Sequence, residues 1–267
     1  MSGTRSHFPK EQAISSLPTL LIAAHGERGG RGDDALVHAL ARHFEESRDY
    51  GTVKPCFVRG EPAINTISKT LPRNDIWVYP LFLSNGYYVK NAIPKALNIG
   101  ANGRDAAGRQ IQLMQPLGIQ PGLAEIVAGL AQNTLQTNGQ KPDEVNLLLA
   151  AHGSSKDPAS RLAAEVVADN LAGLSQFKSI HTAYLEEAPM LDDQLAALPG
   201  PMVVVGLFVG EGMHGGGDLP EAVAGCARDD VYLCPPLTHW PALKQFIIDD
   251  LQNQLRLEMV RSLVEQD

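Results

Sequence analysis

The chain has 267 residues, 44% of them hydrophobic and 19% charged, and carries a formal net charge of −8. Such a length and balance fit a globular protein of about two ordinary domains with ample core material. No apolar run nears the ~20 residues of a membrane span, and the acidic balance argues against nucleic acid as a partner.

Three cysteines, Cys56, Cys226 and Cys234, show no CxxC spacing and leave an odd one. They read as reduced thiols in a cytoplasmic protein, not as a disulfide framework, iron–sulfur motif or zinc knuckle. Residues 1–18 lack the apolar centre of a signal peptide and read as a flexible tail. Thr19–Ala24 predicts a strand, and Asp33–Ser47 an amphipathic helix with Leu36, Leu40 and Phe44 at helical spacing. Val53–Val58 predicts a second strand, Pro62–Leu71 a helix, and Ile76–Leu83 a third strand. After the loop Ser84–Tyr88 come a helix to about Ile99, a strand Gln110–Gln115 and a helix Pro121–Leu135. Asn138–Asp143 reads as a linker of turn residues.

The plan then recurs. Val145–Ala151 predicts a strand, and Asp157-Pro158 starts a helix to Leu174 with Leu162, Val166 and Val167 on its apolar face. Ile180–Leu185, Met202–Val209 and Val231–Cys234 predict strands, Leu219–Cys226 a helix, and Pro241 to about Val264 a long closing helix. Alternating strands and helices imply right-handed βαβ units and mostly parallel sheets.

The two halves are copies. Ala23-Ala24-His25-Gly26 returns as Ala150-Ala151-His152-Gly153, and Phe57–Pro62 returns as Tyr184–Pro189, both 127 positions later. Leu81–Tyr88 matches Leu207–His214 at an offset of 126. The expected architecture is α/β: two tandem flavodoxin-like domains, residues 19–137 and 138–267, each a four-stranded mostly parallel sheet flanked by helices. Ligands of such sheets bind beyond the carboxyl ends of the strands. At three such tips the second copy carries His152, Glu186 and His214, where the first carries His25, Arg59 and Tyr88. Two imidazoles and a carboxylate suit Co²⁺, Fe²⁺, Ni²⁺ or Zn²⁺ and can also take protons near neutral pH. An arginine and a tyrosine, both protonated at pH 7, do not make a metal site. His152, Glu186 and His214 are therefore the candidate metal ligands and catalytic groups, and His25 with Tyr88 a vestigial site. His38 and His43 read as surface residues, and His239 as structural.

Gly210–Gly215 formally matches GxGxxG after a strand, so a nucleotide-binding α/β protein is one alternative. The acidic residue expected to close the next strand is misplaced, and Gly215-Gly216-Gly217 reads better as a mobile loop.

Ala151–Ser154, Tyr184-Leu185-Glu186-Glu187-Ala188-Pro189 and the block Leu207–Pro220 together resemble the class II tetrapyrrole chelatases of the CbiX/SirB type, in their long tandem form. Ala24-His25-Gly26, Pro80–Leu83 and Ala92-Ile93-Pro94 extend the resemblance into the first half, although Tyr88 stands where many long members keep a histidine. The resemblance implies insertion of Co²⁺ or Fe²⁺ into sirohydrochlorin. The metal (Co²⁺, Fe²⁺ or Ni²⁺) is then a substrate, with no permanently bound cofactor, and the pathway served is that of sirohaem or cobalamin. It assigns His152 and His214 as metal ligands and proton acceptors, with Glu186 as their acidic partner. The polycarboxylate substrate suits Ser154, Ser155, Lys156 and the helix N-terminus behind them, with Arg28, Arg31 and Arg59 as clamps across the cleft. A non-catalytic metal- or tetrapyrrole-binding protein on the same fold is the other alternative.

Overall fold

The computed structural model describes residues 17–26, 34–174, 176–209 and 217–264. Two four-stranded sheets, each wholly parallel, have the orders β2-β1-β3-β4 and β6-β5-β7-β8. The strands of the first are β1 (Thr19–Ala24), β2 (Thr52–Phe57), β3 (Ile76–Pro80) and β4 (Ile111–Leu113). Those of the second are β5 (Asn146–Ala151), β6 (Ser179–Tyr184), β7 (Met202–Gly206) and β8 (Val231–Leu233). β1 and β5 are the inner strands that begin each half, and all six residues of each are buried. A strand covered on both faces must be apolar on both, which is why Leu-Leu-Ile-Ala-Ala and Leu-Leu-Leu-Ala-Ala show no alternation.

The helices are α1 (Asp34–Ser47), α2 (Ile64–Ile67), α3 (Ile93–Ala96), α4 (Leu123–Thr137), α5 (Ala159–Leu174), α6 (Leu191–Ala197), α7 (Leu219–Gly225) and α8 (Pro241–Val264). A π-helical turn, Tyr88–Ala92, leads into α3. One face of each sheet has its own small core. Leu21, Ala23, Ile64, Val78 and Ile93 pack in the first half, and Leu148, Ala150, Leu191, Val204 and Leu219 in the second. The opposite faces share one large core, in which Leu20 and Ile22 join Leu147 and Leu149 through α1, α4, α5 and α8.

That shared core rests on an exchange of helices. α4, which closes the first half of the chain, packs on β7 and β8 of the second sheet. α8, its counterpart in the second half, reaches the first sheet, where the Tyr79 hydroxyl donates to Asp250 Oδ2 at 2.8 Å. Gln115 N–H also donates to Gln254 Oε1 on α8 at 3.0 Å. The covalent boundary between the halves and the packing boundary therefore differ.

The Tyr79–Asp250 contact has a pH signature. Burial, against the opposing hydrogen bonds from Tyr79 and Gln254, raises the Asp250 pKa above its ordinary 3.8. A carboxyl whose folded pKa is raised stabilises the fold fully only below its unfolded value, and the contribution is lost as pH rises through the folded one. Asp250→Asn keeps an acceptor for Tyr79 and removes the buried charge. It is expected to raise Tm at pH 7 and leave it unchanged near pH 3, as thermal melts at the two pH values will report.

On α5 the expectation for the apolar face needs correcting. Leu162 and Val166 are 49% and 46% exposed, and the buried face is Ala163, Ala164, Val167 and Leu171. Two alanines let α5 lie close to α4 and to the sheet, which turns the Leu162–Val166 row about one residue's rotation away from the core. His38 and His43 are half-buried rather than on the open surface, their rings beside Phe57 and Phe44.

The repeat extends to details that alignment by offset misses. Arg109 donates to the carbonyls of Ser68, Leu71 and Pro72 and pairs with Asp105. Arg228 does the same for Leu195, Leu198 and Gly200, with Asp230 as its pair. In each half a guanidinium ties off carbonyls at or just beyond the end of the short second helix, its carboxylate partner held below the usual carboxylate range. Cys56 and Cys234 are buried free thiols whose ionisation burial suppresses, Cys234 being pushed up to about 12. Among the described residues no helix is long and apolar enough to cross a membrane.

Candidate active site

Both inner strands end on the same local structure. β1 runs into His25 and a left-handed Gly26 (φ 73°), and β5 into His152 and Gly153 (φ 71°). Glycine is required at 153 on two counts. L side chains rarely adopt this φ, and a Cβ there would lie 2.7 Å from the Cβ of Tyr184. The next strand over holds each tip. Arg59 N–H donates to the His25 carbonyl, and Leu185 and Glu186 N–H donate to that of His152.

Each imidazole is oriented by the turn it starts. His152 Nδ1 lies 2.7 Å from the Gly153 carbonyl, and His25 Nδ1 lies 2.9 Å from that of Gly26. A carbonyl oxygen only accepts, so Nδ1 carries the proton and the lone pair of the neutral ring sits on Nε2. That is the arrangement in which a second hydrogen bond fixes a ligating histidine. His152 Nε2 is 3.7 Å from Glu186 Oε1, with the side chains 37% and 57% exposed. An imidazole lone pair and a carboxylate thus share one solvent-reached strand end.

The first-half tip is built differently. Tyr88 stands edge-on to His25 with ring centroids 4.6 Å apart, stacks with Phe82 at 5.8 Å and meets Tyr87 edge-on at 5.7 Å. Arg59 is exposed beside this tip. The loop before Tyr88 also bridges the halves, since Tyr87 N–H donates to Asp157 Oδ2 at 3.1 Å, just before α5.

The structure brings His152 and Glu186 together and places Ser154, Ser155 and Lys156 in the turn beyond them. Ser154 Oγ accepts from the N–H groups of Lys156 and Asp157, and Asp157 Oδ1 accepts from that of Ala159. These backbone donors at the start of α5 are thus already partnered. His25 and Tyr88 are in contact, whereas Arg28, Arg31 and His214 lie outside the described residues, as does the Gly210–Gly215 match. Among the described residues no three His, Cys, Asp or Glu side chains gather as a metal site.

Sequence reasoning passed over Glu187. Its Oε1 accepts from Ser154 N–H at 2.8 Å, and its Oε2 is 3.5 Å from Arg161 Nε. Arg161 also pairs with Glu165 at 3.0 Å, and that bond, then Glu187, raises the guanidinium pKa. The available signal was the doubled glutamate of Tyr-Leu-Glu-Glu-Ala-Pro, which stands against Arg59-Gly60 in the first copy.

Two parallel α/β sheets with histidine-bearing strand tips define a chelatase-like architecture. The CbiX family profile matches residues 19–134 and 146–254, and the chain belongs to that family. It is 25% identical over 225 residues to a probable sirohydrochlorin cobaltochelatase of Halobacterium salinarum, covering 77% of this chain and 76% of that one. It is likewise 25% identical over 190 residues to a sirohydrochlorin ferrochelatase of Priestia megaterium, covering 68% and 67%. Among solved structures, SirB from Bacillus subtilis with Fe³⁺ shares the fold with a TM-score of 0.72 at 19% identity, over 90% of this chain and 96% of that one.

Proposed function

We propose that this protein is a sirohydrochlorin chelatase that inserts Co²⁺ or Fe²⁺ into the tetrapyrrole at the second-half strand tips. The observation that carries the reading is the His152–Glu186 pair, 3.7 Å apart, set against His25–Tyr88 at the matching place. Family membership and the two named relatives support the reaction class.

Insertion exchanges a hydrated M²⁺ for two pyrrole N–H protons. In this reading His152 Nε2 and His214 hold the metal with water completing its shell, then take up the pyrrole protons as it moves across. Imidazole, with an ordinary pKa of ~6.5, can serve both tasks near neutral pH. Glu186, more exposed than His152, offsets metal charge and passes protons to solvent. Arg59 at the opposite tip, together with Arg28 and Arg31, clamps substrate carboxylates, for which a guanidinium fork is suited. Ser154, Ser155 and Lys156 serve the same end on the second half.

The test is to follow sirohydrochlorin absorbance with Co²⁺, Fe²⁺ and Ni²⁺ in turn, with and without protein. Multiple turnovers with cobalt or iron are expected. Stoichiometric binding without turnover would replace the enzyme reading by that of a metal or tetrapyrrole carrier. For the clamp, Arg59→Ala is expected to raise KM by about tenfold, the loss of one charge-assisted contact, with kcat little changed. An unchanged KM removes Arg59 from the substrate site.

A further inference from the structure

The peptide between Gly153 and Ser154 is held at both ends. Its carbonyl accepts from His152 Nδ1 at 2.7 Å, and its N–H donates to Glu187 Oε1 at 2.8 Å. Gly153 N–H in turn donates to Ser160 Oγ at 3.2 Å, so the turn is fixed on its other side as well. Arg161 holds the second oxygen of Glu187, and the Glu187 side chain is only 17% exposed. A charged acceptor on the N–H of a peptide draws its hydrogen bond short and polarises the unit, which makes the carbonyl a stronger acceptor.

We propose that Glu187 is a positioning residue: through the Gly153–Ser154 peptide it locks His152 in the Nδ1–H tautomer, with the Nε2 lone pair on the side of Glu186. The chain carries its own control. The first copy keeps the histidine and the left-handed glycine but has Gly60 where the second has Glu187, so this position supplies no carboxylate. His25 Nδ1 lies 2.9 Å from its own glycine carbonyl. A relay of this kind matters only if His152 is a working imidazole, so its use rests on the chelatase reading. The lock itself does not.

The experiment is ¹⁵N NMR of histidine-labelled full-length protein, without metal or substrate, about two units above the ordinary histidine pKa of ~6.5 so that the rings are neutral. The His152 signals are assigned by their loss in His152→Asn. Wild type is expected to show the Nδ1–H form at His152. Glu187→Ala should lower its ratio to the Nε2–H form by about threefold to tenfold, the factor that one net hydrogen bond controls. Glu187→Gln keeps an acceptor without the charge and should fall between the two, with His25 unmoved throughout. An unchanged ratio in Glu187→Ala, or an equal shift at His25, overturns the proposal. If the alanine variant does not fold, Glu187→Asp, a methylene short of Ser154, takes its place with the same expected outcomes. Because no turnover is read, failure of the relay and failure of the chelatase assignment remain distinguishable.

Discussion

His152→Ala is expected to lower kcat for metal insertion by about 10²–10⁴-fold, the usual loss for a positioned proton-transfer group. His25→Ala should cost less than about tenfold. The two residues begin from the same backbone, an inner strand followed by a left-handed glycine, so the difference must come from what surrounds each ring. Around His152 that is Glu186 at 3.7 Å, a second group able to carry charge and protons. Around His25 it is Tyr88, edge-on at 4.6 Å, a phenol ring rather than a carboxylate. Neither histidine lies in a hydrophobic core, so both variants should keep the wild-type Tm within a few degrees. Steady-state rates with sirohydrochlorin and Co²⁺ decide the matter. Equal losses in the two variants would show that both halves work, and would end the reading of the first as vestigial.

The strand tips are legible in the sequence because their cause is local. An apolar run of strand length must stop where it meets polar residues, and His-Gly after Ala-Ala marks the stop twice, at 25 and at 152. Four parallel strands per half follow from the same kind of signal, and the β1 and α8 spans agree with the structure residue for residue. What stays hidden depends on direction and partner. Glu186 and Glu187 are neighbours of one type, yet the first stands at the His152 tip and the second turns under it to Ser154. Nothing in composition separates them. Leu162 and Val166 fit a helical period as well as Ala163 and Val167 do, and only the closeness of α4 selects the alanine face. Arg109 and Arg228 perform one task, but segments of different length precede β4 and β8, so a fixed offset does not align them. The helix exchange is invisible for a related reason. α4 and α8 both present an apolar stripe, and a stripe does not say which sheet it will cover.

That exchange is expected to make the protein melt as one unit. Leu130 on α4 and Leu251 on α8 are fully buried in the core that both sheets share. Leu130→Ala and Leu251→Ala are each expected to cost about 2–5 kcal/mol, the range for a buried leucine cut back to alanine. Each should shift a single transition rather than split it. Calorimetry checks this directly: for one cooperative unit the calorimetric and van't Hoff enthalpies agree, and two resolved transitions in either variant would show that the halves fold independently. Residues 1–137 made alone should not fold. Val127, Leu130, Ala131 and Leu135 of α4 would have no second sheet to cover, and Tyr79 would lose Asp250. The same reciprocity bears on function. In the proposed reading, a substrate held between Arg59 and His152 needs the two tips at a constant spacing. A core shared through exchanged helices, closed at the tips by the Tyr87–Asp157 hydrogen bond, supplies that spacing without a rigid linker.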